Sequence, residues 1–131
     1  MTNGTGPVLV PSPMPVDLPR PIKDSTGRGR VYVNPPVIHL GSGSKQLHQI
    51  RFKNNTGGTV RIWLLEAAEI FAGPPKGYPD FKNPFVVGAT DPPLDLELKP
   101  DLGYGDYPYH VFCDAIGHEA DGNSPPYVSC P

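Results

Sequence analysis

Leu94-Asp-Leu-Glu-Leu-Lys-Pro100 and Tyr107-Pro-Tyr-His-Val-Phe-Cys113, joined by a turn rich in Asp and Gly, decide the fold class. Leu94, Leu96 and Leu98 alternate with Asp95, Glu97 and Lys99, which gives a strand one apolar and one charged face. Pro100 ends it, and Asp101, Gly103, Gly105 and Asp106 supply the turn. In the following segment Tyr107, Tyr109, Val111 and Cys113 share one face, with Pro108, His110 and Phe112 on the other. Two such segments in succession predict neighbouring strands.

The same pattern extends towards the N-terminus. Phe85-Val-Val-Gly88 reads as a short strand, and residues 72–84, with four prolines and two glycines, as a long surface loop. From Thr59 to Glu66, Val60, Ile62 and Leu64 face one way and Arg61, Trp63 and Leu65 the other; Leu64 to Phe71 also has helical propensity. Asn54-Asn-Thr-Gly-Gly58 is a tight turn that joins this strand to Gln46–Asn54, where His48, Ile50 and Phe52 share a face. Arg30–Asn34 and Val37–Leu40, separated by Pro35-Pro36, add two more. About seven strands with frequent turns predict an all-β, two-sheet β-sandwich over residues 31–131.

Composition agrees. A chain of 131 residues is one ordinary domain, and 19 prolines and 15 glycines leave little room for long helices. A formal net charge of −2 gives no general attraction for nucleic acid, and no apolar run approaches the ~18 residues of a membrane span. Met1–Gly6 has neither the basic start nor the apolar core of an export signal. Charge is uneven, however: eight Lys/Arg stand against two acids up to Arg61, and three Lys against eleven acids after it. A sandwich that interleaves the two halves cancels this; separated at two ends, they would make a dipolar molecule suited to contacts between copies.

Residues 1–30 carry Pro7, Pro11, Pro13, Pro15, Pro19 and Pro21 with apolar residues between them, and predict an extended Pro-rich arm or a disordered tail. Such an arm can lie along its own domain or a neighbouring subunit and pair with a sheet edge. Val8, Val10, Met14, Val16 and Leu18 are its candidate assembly residues.

The succession of an alternating strand ending in Lys99-Pro100, a turn, and an aromatic strand ending in Cys113 with His118 beyond resembles the C-terminal half of the cupredoxin (blue copper) fold. The resemblance covers roughly residues 47–130 and implies a cupredoxin-like, antiparallel Greek-key β-sandwich. It implies copper held by two His and a Cys, with a weak axial ligand. Cys113 and His118 have the spacing of two such ligands, but Gly122 stands where an axial Met is expected and Val60 where the first His is expected. The resemblance therefore implies a domain without the copper site. The metalloprotein alternative, for electron transfer or metal handling, uses copper on Cys113 and His118.

Cys130 is the only other cysteine, and the Gly/Pro/Asp-rich segment before it can turn back towards Cys113. A Cys113–Cys130 disulfide is the expectation, with an extracytoplasmic location if it forms; otherwise both remain thiols. Enzyme motifs are weak: Ser124, Ser129, His118, Asp114 and Asp121 lack a nucleophile elbow, and Glu66 and Glu69 pair only on a helix. Asn54-Asn-Thr56 and Asn3-Gly-Thr5 fit the glycosylation sequon. The expectation is a non-catalytic structural or interaction module without cofactor, self-assembling as a homo-oligomer or with other protein subunits through its arm and strand edges. A second alternative is a secreted recognition domain that binds glycan or protein through Tyr78 and Phe81.

Overall fold

The structure is a computed structural model that describes residues 14–39, 49–75, 77–99, 105–122 and 125–130. Its elements run β1 (Met14–Leu18), β2 (Ile22–Lys23), β3 (Gly29–Arg30), β4 (Val37–His39), β5 (Gln49–Asn54), β6 (Val60–Leu64), α1 (Ala67–Ile70), β7 (Phe85–Val87), β8 (Leu94–Glu97), β9 (Gly105–Cys113), β10 (His118–Glu119) and β11 (Tyr127–Cys130). They form an all-β sandwich. One sheet has the order β1-β5-β8; the larger has β4-β11-β9-β6-β7, with β10 beside the end of β9. β2 and β3 make a separate hairpin.

Alternation sets which side of each strand enters the core. Ile50 and Phe52 of β5 and Leu94 and Leu96 of β8 point inward, against Val60, Ile62, Leu64, Phe85, Val87, Tyr109 and Val111 of the larger sheet. Phe52 and Tyr109 meet edge to face across the sandwich, ring centroids 5.3 Å apart. The two tendencies of residues 59–71 are both realised in sequence: β6 runs to Leu64, and one helical turn then buries Ala67 and Ile70.

Not every pairing is antiparallel. β1 runs parallel to β5, with Met14 opposite Ile50 and Leu18 opposite Asn54, and β4 runs parallel to β11. Parallel neighbours need a long crossover connection, and the chain supplies one by leaving β1, passing through β4 in the other sheet and returning as β5. Hydrophobic alternation reports which face of a strand is buried and carries no information on direction.

The segment read as an arm contributes a strand to the domain. Val16 and Leu18 are fully buried in the core, and Met14 packs against it. Asp17 and Asn34 exchange backbone hydrogen bonds of 2.7 and 3.0 Å on the other side of β1. The sandwich therefore begins at or before Met14 and not at residue 31. Val8 and Val10 lie outside the described residues.

The outer faces of the two sheets differ in kind. On the smaller sheet Arg51 makes a two-pronged contact with Asp95, at 2.7 and 3.0 Å, and exposed Lys53 follows along β5. That is the solvated face of an ordinary half-buried sheet. The outer face of the larger sheet carries Arg61, Trp63 and Leu65 from the β6 segment, Val86 from β7, and His110 and Phe112 from β9.

Candidate interaction face

The geometry redistributes the predicted site residues. Cys130 is the register partner of Gly105, at the opposite end of the nine-residue β9 from Cys113. At ~3.3 Å per residue this separates the two backbones by ~26 Å, far beyond the ~7 Å limit for a disulfide. The expected Cys113–Cys130 bridge is thus corrected: Cys113 is a free, buried thiol. The link between a bridge and an extracytoplasmic location lapses with it.

Cys113 and His118 are register partners, so the predicted ligand pair is brought together. Both members of the pair are engaged by their own surroundings. Burial, with the Asp114 charge adding, pushes the Cys113 thiol up to about 11, which favours the protonated form where no metal is bound. Both ring nitrogens of His118 are occupied: Nδ1 lies 2.9 Å from the carbonyl of Glu119 and Nε2 2.9 Å from that of Gly29. Val60 is fully buried where the resemblance expected a ligand. Among the described residues no group of three or more His, Cys, Asp or Glu is placed to hold a metal ion.

The loop aromatics are anchored inward. Tyr78 meets Phe85 edge to face at 5.5 Å and its hydroxyl donates to the Val86 carbonyl at 2.7 Å, while Phe81 packs against the core. They brace the 72–84 loop, as does Asn83, whose side chain bonds both the N–H and the carbonyl of Leu64. Asn54 is similarly committed. Its amide donates to the carbonyls of Gly58 and Val87, and its oxygen accepts from the Thr56 N–H and hydroxyl, so the sequon asparagine is a turn anchor. Asn3 and Ser124 lie outside the described residues.

What remains open is the outer face of the larger sheet. In cross-strand rows, Val86 is opposite Arg61, Arg61 opposite Phe112, and Phe112 opposite Glu119. In the adjacent row Trp63 is opposite His110, and the β9–β10 register carried two residues further sets Asp121 beside His110, with Tyr32 bridged to Asp121. Directly opposed residues share a face, so these side chains form one surface. The exposed large hydrophobics of the described residues are Ile22 at 58%, Leu65 at 57%, Tyr32 at 46% and Val86 at 44%. Leu65, Tyr32 and Val86 belong to this side, whereas Ile22 lies on the separate β2–β3 hairpin.

The surface is grooved. A groove of about 330 Å³ is lined by Trp63, Leu65, His110, Phe112 and Glu119, and a neighbouring one of about 350 Å³ shares His110 and Glu119 and continues to Asp121, Pro125 and Pro126. His110 Nδ1 lies 2.9 Å from a Glu119 carboxylate oxygen, Arg30 bonds Asp24 and Asp121, and Arg61 bonds Asp114. Asp24 also accepts from the Thr26 hydroxyl and N–H and from the Arg28 N–H. Those bonds, that from the Thr26 side chain first and that from Arg30 next, hold its carboxyl well below the usual range.

Sequence reasoning placed Arg61, Trp63 and Leu65 together on one side of a strand but assigned that side no role. The usable signal was a strand apolar on both faces: Val60, Ile62 and Leu64 fill the core, so Trp63 and Leu65 are surplus to it.

A scan against protein-family models finds no match for this chain, and a search of curated proteins finds none either. The cupredoxin resemblance accordingly rests on the residues quoted for it. No helix among the described residues is long and apolar enough to cross a membrane.

Proposed function

We propose that this chain is a non-catalytic structural module, a self-assembling subunit built on a cupredoxin-like sandwich without the copper site. One observation carries the reading: three of the four exposed large hydrophobic side chains of the described residues, Leu65, Tyr32 and Val86, lie on the outer side of the larger sheet, while the smaller sheet is charged outside. Isolated exposed apolar residues are ordinary, but a contiguous set on a grooved face favours a protein contact. The groups first considered for chemistry are engaged elsewhere: Cys113 is buried, His118 bonds two carbonyls, Asp114 holds Arg61 and Asp121 holds Arg30.

Assembly through the arm loses support at Val16 and Leu18, which serve the core of their own domain. The outer face takes over that part of the proposal. Light scattering on the eluting full-length chain tests it. Masses of two or more 14.1 kDa chains are expected as concentration rises, and a single-chain mass at every concentration contradicts the reading.

A further inference from the structure

We infer that the β2–β3 hairpin of one copy docks on the acidic end of the next, a head-to-tail contact in which its free cations meet the unpaired carboxylates around α1 and β8. The inference rests on the assembly reading above and names a contact apart from the outer face of the larger sheet. Placement comes first. β1 ends with Leu18 opposite Asn54, and the Asn55 N–H bonds the Leu18 carbonyl at 2.8 Å, so the chain enters residues 20–30 at the end of the sandwich that carries the 54–58 turn. The hairpin stays there: the Gly29 carbonyl meets His118 Nε2 at 2.9 Å, and Cys113, opposite His118, is also opposite Val60 at the start of β6. β6 then runs to Leu64, which puts Glu66 and α1 at the other end. Glu97, opposite Gln49 at the start of β5, and Asp106, near the start of β9, belong to that end as well.

The charges of the two ends are complementary. Residues 20–30 hold Arg20, Lys23, Arg28 and Arg30 against Asp24 alone. Arg30 is bonded to Asp24 and Asp121, whereas Arg20, Lys23 and Arg28 are exposed and have no ion-pair partner among the described residues. Other carboxylates of that end are held within the chain: Asp17 accepts from the Asn55 amide, Asp91 from the Gly88 N–H and Asp114 from Arg61. At the far end the balance reverses. The carboxylates of Glu66, Glu69, Glu97 and Asp106 have no partner among the described residues. Against these four acids stand two described cations: Lys82, beside the Asn83 that bonds Leu64, and Lys99, whose N–H bonds the Ile70 carbonyl at 2.9 Å.

Shape agrees with charge. The hairpin is set before contact, since the Asp24 carboxylate accepts from the Thr26 and Arg28 N–H groups and the Asp24 N–H bonds the Arg28 carbonyl at 2.9 Å, so little ordering opposes docking. Ile22, the most exposed large hydrophobic side chain of the described residues, stands next to Lys23. At the receiving end a cleft of about 200 Å³ opens between β8 and the loop after α1, lined by Gln49, Pro74, Pro75, Asp95 and Glu97. Asp95 is held by Arg51 while Glu97 is free, which suits one incoming guanidinium or ammonium group. Head and tail are different surfaces at opposite ends, so the contact is heterologous and each added copy leaves a hairpin and an acidic end open.

Sedimentation velocity on the full-length chain tests the contact, with Lys23→Glu/Arg28→Glu as the head variant and Glu66→Lys/Glu69→Lys as the tail variant. All four side chains are exposed, so neither variant disturbs the core. The wild type should associate past two chains at about 0.02 M salt and about tenfold or more weakly at about 0.5 M, since screening acts on exposed charges. Each variant alone should lose this salt-sensitive association, and an equimolar mixture of the two should regain it, because every hairpin then finds an end of opposite charge. Association that persists in both variants overturns this contact while leaving self-assembly standing. Loss in each variant without recovery in the mixture overturns the pairing of hairpin with acidic end. A wild-type monomer at every salt and concentration overturns both this inference and the reading it rests on.

Discussion

Cys113 and Cys130 are held at opposite ends of β9: His118 faces Cys113 across the β9–β10 register, and Gly105 faces Cys130 across the β9–β11 register. Both thiols should therefore react when unreduced protein is denatured and alkylated, adding two labels to the intact mass. A single-chain mass with no label, two protons below the reduced chain, would mean that the β9–β11 register is wrong.

Leu18 and Val16 separate an arm from a strand. As core residues of β1, Leu18→Ala should cost about 2–5 kcal/mol of unfolding free energy and Val16→Ala somewhat less, seen as a lower denaturant midpoint. An arm that only bridged subunits would instead change association and leave the midpoint of the monomer alone.

Tyr109 buries a hydroxyl that has no hydrogen-bond partner among the described residues, and burial raises its pKa. Removing the oxygen while keeping the ring relieves an unpaired polar group. Tyr109→Phe should be neutral or stabilising by about 1 kcal/mol, while Tyr109→Ala, which also empties the contact with Phe52, should cost about 3–5 kcal/mol. A large loss in Tyr109→Phe would reveal a partner for the hydroxyl.

Asp24, the one carboxylate of the β2–β3 hairpin, should titrate well below the ordinary carboxylate range. Its folded pKa is depressed, so its contribution is complete above the ordinary carboxylate range of ~4 and is lost only as pH falls well below it. Carboxyl carbon shifts followed by NMR against pH check this: a midpoint near ~4 for Asp24 would contradict its bonds to Thr26 and Arg30.

These residues also mark how far the sequence could be read. Alternation at 94–98, 107–113 and 49–54 predicted which side chains enter the core, because a period of two is a local property of strands. Direction and partnership are long-range properties, so the parallel β1–β5 pair and the distance between the cysteines were not legible. The proline count at the N-terminus pointed to extended chain, and β1 is extended; its burial depends on β5 and Asn34, which lie far along the sequence. The interaction face was half legible. Trp63 and Leu65 share a strand, but Tyr32, Val86 and Phe112 join them only once the sheet order is known.

Trp63 offers the most direct measurement, because it is the only tryptophan in the chain and sits in the groove of the proposed contact. Its emission and acrylamide quenching should be followed as the full-length protein is diluted. If two chains meet through this face, emission at high concentration is blue-shifted and shielded from quencher, and dilution moves it to the red and exposes it. Equal emission and equal quenching at concentrations where the protein is associated would contradict the account, since the chains would then be meeting elsewhere.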